Sequence, residues 1–190
     1  MTTQTSTRLF TAQEYERMGE AGILGEDERV ELLAGEIVEM SPIGKRHNAS
    51  VMALDALLQQ FFRASAHIGV QGPIHLDEIS EPQPDLMVLR PRSDSYFDAL
   101  PGPADVLLLI EVADRSLEDD RGRKLPLYAA AGIPEVWLVN LRDDLIEVFS
   151  RPIGETYQEA RQVARGGTVT AITIPGLTIP ADRILGRKSQ

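Results

Sequence analysis

Apolar residues along this chain fall into short runs separated by polar breaks rich in glycine and proline. Two such runs lie close together, Leu86-Met87-Val88-Leu89 and Val106-Leu107-Leu108-Leu109-Ile110. Short continuous apolar runs between turn signals read as buried strands. A third, Val136-Trp137-Leu138-Val139, follows Pro134. The segment between the second and third reads as a helix. Ser116 stands at its N-cap, Asp119 and Asp120 favour its first turns, and Gly132 follows Ala131 as a stop signal. Pro126 inside it predicts a kink or a late start. Strand 105–113, helix 117–131 and strand 135–140 thus have the order of a βαβ unit with a right-handed crossover.

The flanking pattern is also legible. Thr11 and Glu14 have the spacing of a capping box and predict a helix that ends near Gly19 or Gly22. Gly25 to Glu28 reads as an acidic turn. Residues 29–33 and 36–40 predict a sheet-edge hairpin around Ala34-Gly35. Lys45 to Ala66 is the longest helical candidate, with Val51, Leu54, Leu58, Phe61 and Phe62 as its buried stripe. Gly69 to Leu76 predicts a strand, and 77–84 and 91–104 predict loops. Leu145 to Ser150 predicts a hairpin partner beyond an Asp143-Asp144 turn. Thr156 to Leu185 predicts short strands broken at Gly166-Gly167 and Pro175-Gly176. Residues 1–10 read as a flexible tail and 11–190 as a single domain.

Composition narrows the class. The chain has 190 residues, 43% hydrophobic and 25% charged, enough for a substantial core. It has no cysteine, which removes disulfides, thiolate metal sites and cysteine nucleophiles. No apolar stretch approaches the roughly 20 residues of a membrane span. The polar start, Met1 to Arg8, lacks a signal-peptide core, so a cytoplasmic protein is expected. A formal net charge of −10 argues against a general nucleic-acid coating protein. It leaves a nuclease open, because bound divalent cations offset acids at a site.

Each of the first two runs carries one carboxylate, Asp85 at the head of one and Glu111 near the end of the other. A buried carboxylate is costly unless paired or bound to a metal. Magnesium takes oxygen ligands and retains waters, so two acids plus a substrate phosphate suffice. Lys124 could orient a water or neutralise charge, and Glu31 could add a further acid. The plainer reading stands beside this one: Asp85 in a turn, Glu111 paired with Arg115 or Arg121, Lys124 solvated. His47 is a candidate general base or phosphate contact, or an exposed residue near a helix start. Asp120 reads as a helix cap that positions Lys124. Arg115, Arg121 and Arg123 could touch phosphates or pair with Asp114, Glu118 and Asp119. Trp137 and Tyr128 read as core. His67 and His75 have no metal-ligand spacing with His47, and neither a glycine-rich phosphate loop nor a Gly-x-Ser-x-Gly elbow occurs.

The ordered set Pro84-Asp85, Glu111-Val112-Ala113, Asp120, Lys124-Leu125-Pro126-Leu127-Tyr128 and Gly132 to Val139 resembles the Uma-type endonucleases. These belong to the PD-(D/E)XK, restriction-endonuclease-like superfamily. Val30 to Val38 and His47 are similar to the family's N-terminal pattern, and the resemblance spans roughly residues 10–150. It implies an α/β (α+β) fold, a mixed central sheet flanked by helices, here with additional antiparallel strands at both ends. It implies an endonuclease that hydrolyses phosphodiester bonds with Mg2+, or Mn2+, as cofactor. Asp85 and Glu111 match the metal-binding acids, Glu31 matches the acid from the N-terminal part, and the Val112 carbonyl is a further implied ligand. The motif's usual lysine would fall at Ala113; Lys124 resembles a migrated lysine reaching the same place from the next helix. The implied partner is nucleic acid, with DNA expected, and the implied assembly is a homodimer, through apolar edge strands near 145–150 or 168–174. Two other readings remain open: a non-catalytic binding or assembly module that keeps the fold, and a hydrolase of small phosphate esters.

Overall fold

The computed structural model describes residues 7–25 and 27–186. The first six residues of the expected flexible tail, and Glu26 in the expected turn at 25–28, lie outside the described residues. The organising element is a six-stranded sheet in the order β3-β4-β5-β6-β7-β8. Its members are β3 (His67–Val70), β4 (Leu86–Leu89), β5 (Val106–Ala113), β6 (Glu135–Asn140), β7 (Leu145–Ile153) and β8 (Thr156–Ala164). Only β5 and β6 run parallel; the other pairs are antiparallel. That one parallel pair is the βαβ unit expected from the sequence, and the sheet is therefore mixed.

Strand alternation divides the core and also places the chemistry. Leu86, Val88, Leu108, Ile110 and Val112 point to one face, packing with Val51, Leu54, Leu58 and Phe62 of the long helix α2 (Lys45–Phe62). Met87, Leu89 and Leu109 point to the other, against Tyr128 and Ile133. Period-two alternation then sends Asp85, two residues before Met87, and Glu111, two after Leu109, to this second face. Burial of each large apolar side chain contributes about 1.5–3 kcal/mol before entropy is counted.

The crossover from β5 to β6 is an interrupted helix: α3 (Leu117–Asp119), a π-helical turn (Asp120–Lys124) and α4 (Leu125–Ala130). The Leu125 N–H reaches back five residues to the Asp120 carbonyl. Pro126 accounts for the widening, since it lacks an N–H and its ring crowds the carbonyl four residues back. Ser116 occupies the N-cap position, yet its side chain caps no backbone group; it donates to Asp120 Oδ2 at 2.6 Å.

The N-terminal helix α1 (Ala12–Glu20) carries the expected capping box between Thr11 and Glu14. The hairpin of β1 (Val30–Leu33) and β2 (Glu36–Glu39) forms, but as a separate two-stranded sheet rather than an edge of the main one. The Leu32–Glu81 bridge, the Gly35 N–H bond to the Ile79 carbonyl and the Gln83 bonds to Glu31 and Val30 tie it to the loop before β4. Gly35 is required at its tip: φ is +81°, and a Cβ there would lie 2.5 Å from Leu9. The strand expected over 69–76 stops at Val70, because Gln71 turns to φ +49° and donates its N–H to the Asp85 carbonyl. Phe61 is 42% exposed at the overhanging end of α2, so it leaves the buried stripe and stacks edge-on with Phe62. β7 lies between β6 and β8, so residues 145–150 are no sheet edge. β9 (Thr168–Thr170) and β10 (Thr178–Pro180) make the additional C-terminal pair, followed by α5 (Ala181–Leu185).

Candidate active site

Four elements converge on the second face of the sheet. The end of β5 supplies Glu111, the residue before β4 supplies Asp85, β1 supplies Glu31, and the π-helical turn supplies Asp120 and Lys124. All five are at least nine-tenths buried. Lys124 Nζ stands at the centre, 2.9 Å from Glu31 Oε2, 3.2 Å from Glu111 Oε1 and 4.0 Å from Asp120 Oδ1. The three acids foreseen in the sequence and the displaced lysine thus meet in one place, although 93 residues separate Glu31 from Lys124 along the chain. Lys124 reaches Glu111 from the π-helical turn, while Ala113, two residues after Glu111, is fully buried beside Leu117 and Leu138.

Each acid has a defined set of donors. Asp85 Oδ2 accepts the Val112 N–H at 2.9 Å and lies 3.0 Å from His47 Nε2. Asp85 Oδ1 has a longer contact, 3.3 Å, from the Gln71 side-chain amide. Glu111 Oε1 takes the Tyr128 hydroxyl at 2.6 Å as well as Lys124. Its Oε2 has the Asp85 N–H at 3.4 Å. Glu31 Oε2 accepts the Gln83 N–H at 3.0 Å.

Burial dominates the electrostatics. Desolvation pushes the Glu111 carboxyl well above the usual range, against the pull of Lys124. Asp120 rises to about 6 for the same reason, again opposed by Lys124. Burial alone would depress the Lys124 ammonium, but Glu111, Glu31 and Asp120 together outweigh it and hold the group above its ordinary value. Lys124 is therefore a cation at neutral pH. Burial, then the Glu111 charge, push Tyr128 well above its usual value, so its hydroxyl keeps its proton and donates.

The cleft above the cluster is lined by Glu39, Asp114 and Asp119 as well as the buried acids, with Arg29 and Arg115 on its rim. His47 is drawn in to Asp85 and is only 14% exposed, which removes the reading of an exposed helix-start residue. Arg121 and Arg123 pair with Glu147 and Glu36, and Glu118 pairs with Arg142, so the expected pairing among neighbours in sequence does not form. His75 pairs with Glu81. Trp137 is core, as expected, and donates to buried Glu135. Tyr128 is core too, but sequence reading missed its polar end. The available signal was the four-residue recurrence of Asp120, Lys124 and Tyr128, which marks one helix face. Nothing in the sequence singled out Gln71 or Gln83.

Residues 12–182 match the model of the Uma2 family, described as "Putative restriction endonuclease". The chain belongs to the Uma2 family. A solved structure described as a putative nuclease belonging to DUF820, from Anabaena variabilis ATCC 29413, is similar to it in fold. The TM-score is 0.70 at 14% sequence identity, over 93% of this chain and 97% of that one. No curated protein matches the chain. The fold of this Uma2 protein is accordingly nuclease-like, a mixed sheet flanked by helices with an additional antiparallel pair at either end. Among the described residues, no helix is long and apolar enough to cross a membrane.

Proposed function

We propose that this Uma2 protein is a divalent-metal-dependent endonuclease that hydrolyses phosphodiester bonds in nucleic acid, with DNA the expected substrate. One observation carries the reading: three buried acids, Glu31, Glu111 and Asp120, gather around the Lys124 ammonium, and a fourth, Asp85, lies beside Glu111 with its N–H 3.4 Å from Glu111 Oε2. Such an excess of buried carboxylates is costly unless a further cation joins it or the carboxyls take up protons, as burial favours for Glu111 and Asp120.

The donor chemistry fits a hard cation. Asp85 and Glu111 each keep one oxygen with only a long contact, Oδ1 and Oε2. Among the described residues, no three histidine, aspartate or glutamate side chains make a ready-made cage. Magnesium does not need one, since it is held through one or two carboxylates together with waters and substrate phosphate. The Val112 carbonyl is a suitable third donor. The β4–β5 register, carried two residues beyond Leu86–Ile110, sets Pro84 opposite Val112, and proline has no N–H to give that oxygen. When bound, Mg2+ or Mn2+ supplies Lewis-acid polarisation of a phosphoryl oxygen and a water nucleophile near neutral pH.

The chain's own residues would do the rest. Lys124 has three donors, of which Glu31 and Glu111 engage two. The third is free to orient the attacking water or to stabilise charge on the phosphoryl oxygens. As a cation at neutral pH, Lys124 cannot take the water's proton. Glu31 holds Lys124 in register from the opposite side. Water attacks phosphorus and forms a new P–O bond as one P–O ester bond breaks; the proton the water gives up is matched by the one the leaving oxygen takes up.

The test is cleavage of supercoiled plasmid by the purified protein with Mg2+ or Mn2+, beside Asp85→Ala and Lys124→Ala. Cleavage by the parent and by neither variant is expected. Equal cleavage by all three would overturn the site assignment.

A further inference from the structure

We infer that Tyr128 and His47 are a matched pair of positioning residues, each saturating one oxygen of an acid so that the other oxygen faces the cation. This rests on the metal-site reading above.

The bonding around the two acids is the same in plan. On Glu111, Oε1 receives Tyr128 at 2.6 Å and Lys124 at 3.2 Å, while Oε2 has one contact at 3.4 Å. On Asp85, Oδ2 receives the Val112 N–H at 2.9 Å and His47 at 3.0 Å, while Oδ1 has one contact at 3.3 Å. A carboxylate free to rotate about its terminal bond would present either oxygen. Two short bonds to the same oxygen fix that rotation. The two holders come from opposite faces of the sheet. Tyr128 rises from the core on α4, where it is fully buried, and His47 reaches across from the first turn of α2.

Tyr128 is otherwise an unexpected choice for its place. It sits in an apolar cluster with Met87, Leu109, Ile133 and Val136, where phenylalanine would fill the same space without a buried hydroxyl. The hydroxyl donates to Glu111 alone among the described residues. A carboxylate oxygen accepts, so the bond to Asp85 Oδ2 is donated from His47 Nε2. His47 Nδ1 is buried with no partner among the described residues, so these hold the ring by its bond to Asp85 rather than by a second bond behind it. Neither residue touches the open oxygens, so neither is a ligand; both act through the acids.

The experiment is Mn2+ binding by calorimetry, without substrate, to the parent, Tyr128→Phe, His47→Ala and a core control, Ile133→Val, each with its urea-unfolding stability. Outer partners of metal ligands typically carry about 10–100-fold in metal affinity. Tyr128→Phe and His47→Ala are expected to bind Mn2+ weaker by that factor, and His47→Gln to regain part of it. Ile133→Val should lose stability and keep its affinity. Parent-like affinity in both Tyr128→Phe and His47→Ala would overturn the inference while leaving the metal site standing. Affinity that tracks stability across all variants would also overturn it, since a packing role alone would do that. No Mn2+ binding by the parent would overturn the metal-site reading itself.

Discussion

Replacing Lys124 by methionine removes the only ammonium that the described residues bring to the buried acids and keeps nearly the same side-chain volume. Its contacts with Glu31 and Glu111 are 2.9 and 3.2 Å, between side chains no more than 7% exposed. At an effective dielectric of about 20, each contact is worth roughly 5 kcal/mol before desolvation is charged against it. The gross figure is not the net one, because bringing these charges out of water cost several kcal/mol per ion. What the substitution leaves is uncompensated buried charge, and breaking such a cluster from one side costs about 3–5 kcal/mol. The loss should depend on pH in a set direction. Lys124 is held above its ordinary value, so its stabilising contribution is complete at all pH values below that ordinary value. The acids decide the rest: Glu111 is pushed up by burial and Asp120 titrates at about 6, so acidification protonates them and leaves less charge to neutralise. Urea unfolding at pH 8 and pH 5, without added metal, should show the full penalty at pH 8 and a smaller one at pH 5. Adding Glu111→Gln to Lys124→Met should recover part of the stability at pH 8. A penalty below about 1 kcal/mol at pH 8 would place the pair among solvent-screened surface bridges and refute the reasoning. So would the same penalty at both pH values.

Two further outcomes follow from single residues. Because burial raises the Asp120 carboxyl from 3.8 to about 6, the folded state favours its protonated form, and that stability is lost as pH rises through about 6. The unfolding free energy of the parent relative to Asp120→Asn should therefore fall by on the order of 3 kcal/mol from pH 4 to pH 8, and a rise would contradict the burial argument. Glu135 is fully buried and accepts from the Trp137 indole at 2.7 Å, from the Ile172 and Thr173 N–H groups, both at 2.8 Å, and from the Thr173 hydroxyl at 2.9 Å. Glu135→Ala strands those donors, so calorimetric melting should show a loss of at least 3 kcal/mol; a loss under 1 would mean that the 171–173 loop holds without it.

The parts legible along the chain are those whose signals are local. Apolar runs gave β4, β5 and β6, the capping box gave α1, and the βαβ order gave the parallel pair, because periodicity and capping are set by neighbours in the chain. The acids Asp85 and Glu111 were legible because a carboxylate inside an apolar run stands out against its surroundings. Distance along the chain conceals the rest, which emerges only when the elements pack. Packing brought Glu31 and Lys124 to within 2.9 Å, turned His47 inward to Asp85, and sent Arg121 to Glu147 instead of to a neighbouring acid. It also made residues 145–150 an interior strand, since β8 covers them. Tyr128 shows the division most plainly. Its ring belonged to the core on any reading of the pattern, but only the packing of α4 on the sheet decided that its hydroxyl would meet Glu111. Hydrophobic burial is nearly non-directional and can be read from spacing, whereas a hydrogen bond is directional and exists only once both partners have been placed.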